Sequence, residues 1–122
     1  MIVLKGKVVH GKALGRTVGM PTANIEVNDK RQLPECGVYA TRIKVGEDLY
    51  LAVTNIGLRP TVDNEQYVTV EAHILDFEKE IYGEDVVLEV HKLLRPIQKF
   101  SSLEDVQKQV KKDIEITRVH FD

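Results

Sequence analysis

The stretch Val38-Tyr39-Ala40-Thr41-Arg42-Ile43-Lys44-Val45-Gly46-Glu47-Asp48-Leu49-Tyr50-Leu51-Ala52-Val53-Thr54-Asn55-Ile56 decides the fold. In its first half Tyr39, Thr41, Ile43 and Val45 fall on one face of an extended chain, and Arg42 and Lys44 on the other. Gly46-Glu47-Asp48 supplies a turn, and Leu49 to Ile56 reads as the returning strand of a hairpin. The same period of two recurs beyond the hairpin. In Tyr67 to Leu75, Val68, Val70, Ala72 and Ile74 oppose Thr69, Glu71 and His73. Asp85 to Leu93 is a further strand, set off by a turn at Tyr82-Gly83-Glu84. Met1 to His10 and Ala23 to Val27 bring the count to about six strands, and strands this short and evenly spaced predict an antiparallel barrel or sandwich.

The end of the chain changes period. Ser101, with Glu104 three residues on, has the form of a capping box. Leu103, Val106, Val110 and Ile114 then recur at helical spacing. Ser102 to about Val119 is expected to form one amphipathic helix packed on the sheet, with Lys108, Lys111 and Lys112 on its solvated face.

Composition sets the outer bounds. A chain of 122 residues argues for a single domain, residues 1–122. With 43% hydrophobic and 30% charged residues it is a globular composition, not a disordered one. The net charge of −2 argues against a surface that binds nucleic acid or anionic membrane as a whole, while a local basic site stays compatible with it. The one cysteine excludes a disulfide within the chain and a cysteine-rich zinc site. Lying before a strand with no base at a telling spacing, Cys36 reads as a packed thiol. No segment approaches the roughly 18 apolar residues of a membrane span. The apolar start at Met1 is too short for a signal peptide. A cytoplasmic protein without nucleic-acid or membrane partners is expected. A closed barrel has no free edge to pair, which predicts a monomer.

Four of the 8 glycines, Gly6, Gly11, Gly15 and Gly19, fall early in the chain. The loop from Gly11 to Asn24 follows a strand and carries Lys12 and Arg16. Glycine lets backbone N–H groups close around a phosphate, and the two cations add charge. The spacing is neither that of a Walker A loop nor that of a dinucleotide fold, and on spacing alone a glycine-rich surface loop is the favoured reading. The loop ends in Pro21-Thr22-Ala23-Asn24. On an extended segment Thr22 and Asn24 point the same way, so two neutral oxygens reach one hard cation, or bond to the loop backbone instead. Glu71 and His73 share a strand face and suit either general-base or metal chemistry, or simply a polar surface. Asp76, Glu78, Glu80, Glu84 and Asp85 read as solvated.

Taken in order, these segments resemble the riboflavin kinase family. The resemblance rests on Gly11…Gly15-Arg16…Gly19-Met20-Pro21-Thr22-Ala23-Asn24, Leu33-Pro34…Gly37-Val38-Tyr39-Ala40 and Asn55-Ile56-Gly57…Arg59-Pro60-Thr61-Val62. It continues through Val70-Glu71-Ala72-His73-Ile74-Leu75-Asp76-Phe77, Ile81-Tyr82-Gly83, Leu94-Arg95 and Lys99-Phe100. It runs from about Gly6 to Asp113, with the motifs in the family's order. It implies a six-stranded antiparallel Greek-key barrel with one C-terminal helix. It also implies transfer of the γ-phosphoryl group of ATP to the ribityl 5′-hydroxyl of riboflavin, giving FMN and ADP.

By the same resemblance, Thr22 and Asn24 hold the divalent cation, taken as magnesium, and Glu71 is the base. Gly11, Lys12, Gly15, Arg16, Gly19 and Pro21 belong to the segment that wraps the nucleotide phosphates. Arg95 is a candidate for contacts at the flavin end, or else a surface salt bridge. The family usually has a glutamate where Ile97 stands, and a common aromatic where Met20 stands. Bacterial members commonly carry an adenylyltransferase domain ahead of the kinase; with Met1 so near the first motif, the kinase domain alone is expected. Two other readings use the same barrel. One is a flavin- or nucleotide-binding regulatory module of weak activity. The other is a nucleic-acid-binding barrel, disfavoured by 6% aromatic content and no tryptophan.

Overall fold

The computed structural model describes residues 1–10, 22–60 and 66–122, with the backbone alone for 59, 60, 66 and 67. Six strands form: β1 (Ile2–Val9), β2 (Ala23–Val27), β3 (Gly37–Val45), β4 (Asp48–Pro60), β5 (Gln66–Ile74) and β6 (Asp85–Arg95). A 3-10 turn at Lys30–Gln32 lies between β2 and β3, and one helix, α1 (Leu103–His120), ends the chain. The strands close into an antiparallel barrel in the order β1-β2-β5-β4-β3-β6. Of the two architectures the strand spacing allowed, the barrel is the one formed.

The decisive hairpin pairs Val45 with Asp48, so its loop is Gly46-Glu47, one residue shorter than the turn read from sequence. Gly46 takes a φ of 62°, the left-handed conformation a two-residue hairpin loop requires. Tyr39, Thr41, Ile43 and Val45 point into the barrel as the alternation predicts, and all are buried. Leu4, Ile25, Ile56, Val70, Ala72 and Leu88 join them in the core. Two threonines are fully buried there. Thr41 Oγ1 lies 2.9 Å from the Ala52 carbonyl and 2.7 Å from Thr54 Oγ1. When Thr41 donates to the carbonyl and accepts from Thr54, both hydroxyl protons are used, which removes the cost of burying them.

Helix α1 lies on the outer surface of the barrel, against β3 and β4. Beneath it the outward-facing Val38, Ala40 and Val53 are buried. Three readings of this region need correction. The N-cap is Ser102, whose Oγ accepts from the Asp105 N–H at 3.1 Å, one residue beyond the Ser101/Glu104 pair. Leu103 is 51% exposed, because the stripe facing the barrel runs through the half-buried Val106 and Val110 and the buried Asp113 and Thr117. Cys36 is exposed and not a packed thiol, because it precedes β3 instead of entering it. Lys108, Lys111 and Lys112 are solvated as expected, and so are Asp76, Glu78, Glu80, Glu84 and Asp85.

Candidate active site

Strand alternation brings the candidate residues together. Ile25 and Val27 of β2 point into the core, so Asn24 faces outward. Val70, Ala72 and Ile74 of β5 point inward, so Glu71 and His73 face outward and are half-buried. Thr54 and Ile56 of β4 point inward, so Asn55 faces outward and is exposed. Register then sets the row: Asn24 pairs with Glu71, and Glu71 pairs on its other side with Asn55. Directly opposed residues in an antiparallel pair have Cβ atoms roughly 4.5–5.5 Å apart. A carboxylate therefore stands between two carboxamides on one surface.

The row continues from Asn55 to Val38 and from Val38 to Arg95. Two irregularities in the β3–β6 pairing, between Val38 and Tyr39 and between Ala40 and Thr41, carry β6 forward so that Arg95 meets Val38. Bulges re-aim side chains in this way, and these turn Arg95 toward α1. There it meets Asp113 with Nη2 3.0 Å from Oδ2 and Nε 3.2 Å from each carboxylate oxygen. Its guanidinium also lies over the Phe100 ring, 5.6 Å from the centroid. Arg95 is 16% exposed and Asp113 only 2%, so the surface salt bridge considered for Arg95 is instead a buried pair.

Two cavities lie on either side of β5 near this row. One, of about 360 Å³, lies between the outer face of the sheet, α1 and the segment after β6. Glu71, Asn55 and Arg95 line its polar side, and Ile97, Val106 and Val110 its apolar side. The other, of about 380 Å³, has apolar walls from Val8, Ala72, Ile74, Phe77, Ile81 and Tyr82. Thr22 lines both. His10 stacks on Tyr82 with ring centroids 3.8 Å apart, bringing the end of β1 against this second cavity.

Thr22, Asn24, Glu71 and Arg95 are thus gathered in one region. The other sequence candidates, Gly11, Lys12, Gly15, Arg16, Gly19 and Pro21, lie outside the described residues. Sequence reading gave no role to Asn55 or Asp113. Asp113 carried a usable signal: it falls at helical spacing with Val106 and Val110, a carboxylate on an apolar stripe. Asn55 carried one too, since asparagine is depleted within strands.

The chain belongs to the riboflavin kinase family: the family model described as "Flavokinase: Riboflavin kinase" matches residues 1–121. The bifunctional riboflavin kinase/FMN adenylyltransferase of Listeria monocytogenes is 41% identical over 117 residues, 96% of this chain and 37% of that protein. The RNA-binding riboflavin kinase RibR of Bacillus subtilis is 38% identical over 122 residues, the whole of this chain and 52% of that protein. The crystal structure of riboflavin kinase from Trypanosoma brucei superposes with a TM-score of 0.68 at 28% identity, covering 98% of this chain and 78% of that one. The chain therefore spans between about a third and a half of these two curated bacterial relatives. Riboflavin kinases use ATP and a divalent cation.

Proposed function

We propose that the chain is an ATP:riboflavin 5′-phosphotransferase, a single kinase domain that makes FMN and ADP. The observation that carries the reading is Glu71, held between Asn24 and Asn55 and lining the outer cavity, which shares Thr22 with the second cavity. The outer cavity suits riboflavin, with apolar walls for the ring system and a polar end for the ribityl chain. The cavity beside Tyr82 suits the nucleotide, and the family resemblance assigns phosphate binding to residues from Gly11 to Pro21.

In the reaction, the ribityl 5′-oxygen forms a bond to the γ-phosphorus as the bond to the bridging oxygen of ADP breaks. Glu71 accepts the hydroxyl proton. Alignment of the acceptor is the larger part of the catalysis, and a barrel surface supplies it because strand positions are rigid. Arg95 contributes at the flavin end, held in place by Asp113. Thr22 and Asn24 fit a magnesium ion as neutral oxygen donors, leaving phosphates and water to complete its shell. Such an ion would neutralise charge on the phosphoryl oxygens.

We take the protein as a cytoplasmic monomer without a nucleic-acid partner; RNA binding belongs to the name of the Bacillus subtilis relative. No described helix is long and apolar enough to cross a membrane.

The test is conversion of riboflavin to FMN with ATP and magnesium, the flavins being separated by chromatography. Turnover should vanish with a chelator and fall by about 10²–10⁴ in Glu71→Gln, which should stay folded. A folded, active wild type matched by Glu71→Gln would remove Glu71 from the mechanism. Saturable riboflavin binding without FMN would reduce the protein to a binding module.

A further inference from the structure

We propose that Asn55 determines acceptor specificity by reading a hydroxyl of the polyol chain beside the one phosphorylated; this rests on the riboflavin kinase reading. Asn55 is the neighbour of Glu71 on β4, on the same outward face, and both line the outer cavity. Asn24, on the opposite side of Glu71, does not line that cavity. The two carboxamides thus differ: Asn55 shares the outer cavity with Glu71, and Asn24 does not.

The position asks for an amide. Next in the row after Asn55 is Val38, apolar and buried beneath α1. Asn55 therefore stands in the row between Glu71 and the apolar Val38. A carboxamide both donates and accepts, which matches the two faces of a hydroxyl group. Being neutral, it adds no charge beside Glu71. Asparagine has low strand propensity, and Asn55 is exposed instead of packed, so barrel stability does not account for it.

The inference is tested by comparing wild type, Asn55→Ala and Asn55→Ser on riboflavin and on its 4′-deoxy and 3′-deoxy analogues, with kcat/KM measured for each. Wild type should prefer riboflavin over at least one analogue by about tenfold, the scale of one hydrogen bond. Asn55→Ala should bring that preference close to one through loss on riboflavin alone, with KM for ATP unchanged. Asn55→Ser keeps a smaller hydrogen-bonding group and should retain part of the preference; it decides the matter if Asn55→Ala gives no turnover. Variants that keep the wild-type preference against both analogues would overturn the role of Asn55 while leaving the kinase reading intact. Wild type that forms no FMN would overturn the kinase reading itself, and this inference with it.

Discussion

Arg95, at the end of β6, and Asp113, in the middle of α1, form a forked ion pair that joins the helix to the barrel across the floor of the outer cavity. Gln109 adds a bond from Nε2 to Asp113 Oδ1 at 3.1 Å. Asp113 is therefore a buried carboxylate whose partners come from two directions, and the pair fixes both the helix and the guanidinium.

A buried pair contributes little net stability against an apolar replacement, but removing one partner strands the other. Asp113→Ala should lower stability by about 3 kcal/mol, read by urea unfolding. Arg95→Met combined with Asp113→Leu should recover much of that loss. In the single variant KM for riboflavin should rise more than KM for ATP, because Arg95 lines the outer cavity, the one proposed for riboflavin, and not the other. Equal effects on both substrates would mean that the pair serves only the fold.

Asn24→Ala removes an outward oxygen from beside Glu71 without touching the core. The divalent-cation concentration for half-maximal activity should rise about tenfold, the scale of one polar contact to a charged partner. KM for riboflavin should change little. An unaltered cation dependence would take Asn24 out of the metal site.

Much of this arrangement was legible in the sequence, and the illegible part has a physical cause. Alternation in β3 and β5 put Thr41 and Ala72 inside and Glu71 outside, because a strand with one buried face must alternate. It does not reveal which strands are neighbours. The meeting of Asn24 and Asn55 on either side of Glu71 depends on β5 lying between β2 and β4, a property of barrel closure. Arg95 was legible as a candidate, yet its burial was not, since that depends on two shifts in the β3–β6 register. The helix start was misread by one residue because Ser101 and Ser102 are adjacent and each has an acid three residues on.

At Gly6, β1 leaves no room for a side chain against β2. A Cβ added there would clash with the Glu26 carbonyl oxygen and lie 2.8 Å from Ile25 Cγ2. The carbonyl is backbone, so no rotamer change relieves the clash and the strands must part. Gly6→Ala should cost about 1–3 kcal/mol, read as a lower thermal midpoint. An unchanged midpoint would show that the barrel spreads at this seam without penalty.

Glu89 lies on the outer face of β6, where Oε1 accepts from Arg42 Nη2 at 2.8 Å and Nε at 3.0 Å. His91 Nε2 is 3.1 Å from the same oxygen. The bond with His91 is the largest cause holding the Glu89 carboxyl below its usual range; Arg42 adds to it, and partial burial opposes both. A carboxyl lowered in the folded state binds fewer protons than in the unfolded chain, so its contribution is full above the ordinary carboxylate range. That contribution is lost as pH falls through the lowered folded value. Glu89→Gln should therefore be less stable than wild type at pH 6, and the gap should narrow by pH 3, with unfolding followed at both. Phe121 packs on this cluster, its ring 4.7 Å from that of His91 and 5.9 Å from the Arg42 guanidinium. The loss should therefore be felt at the C-terminal end of α1, as faster amide exchange there at low pH. A gap between the two proteins that stays constant from pH 6 to pH 3 would mean that the Glu89 charge contributes nothing to holding the helix.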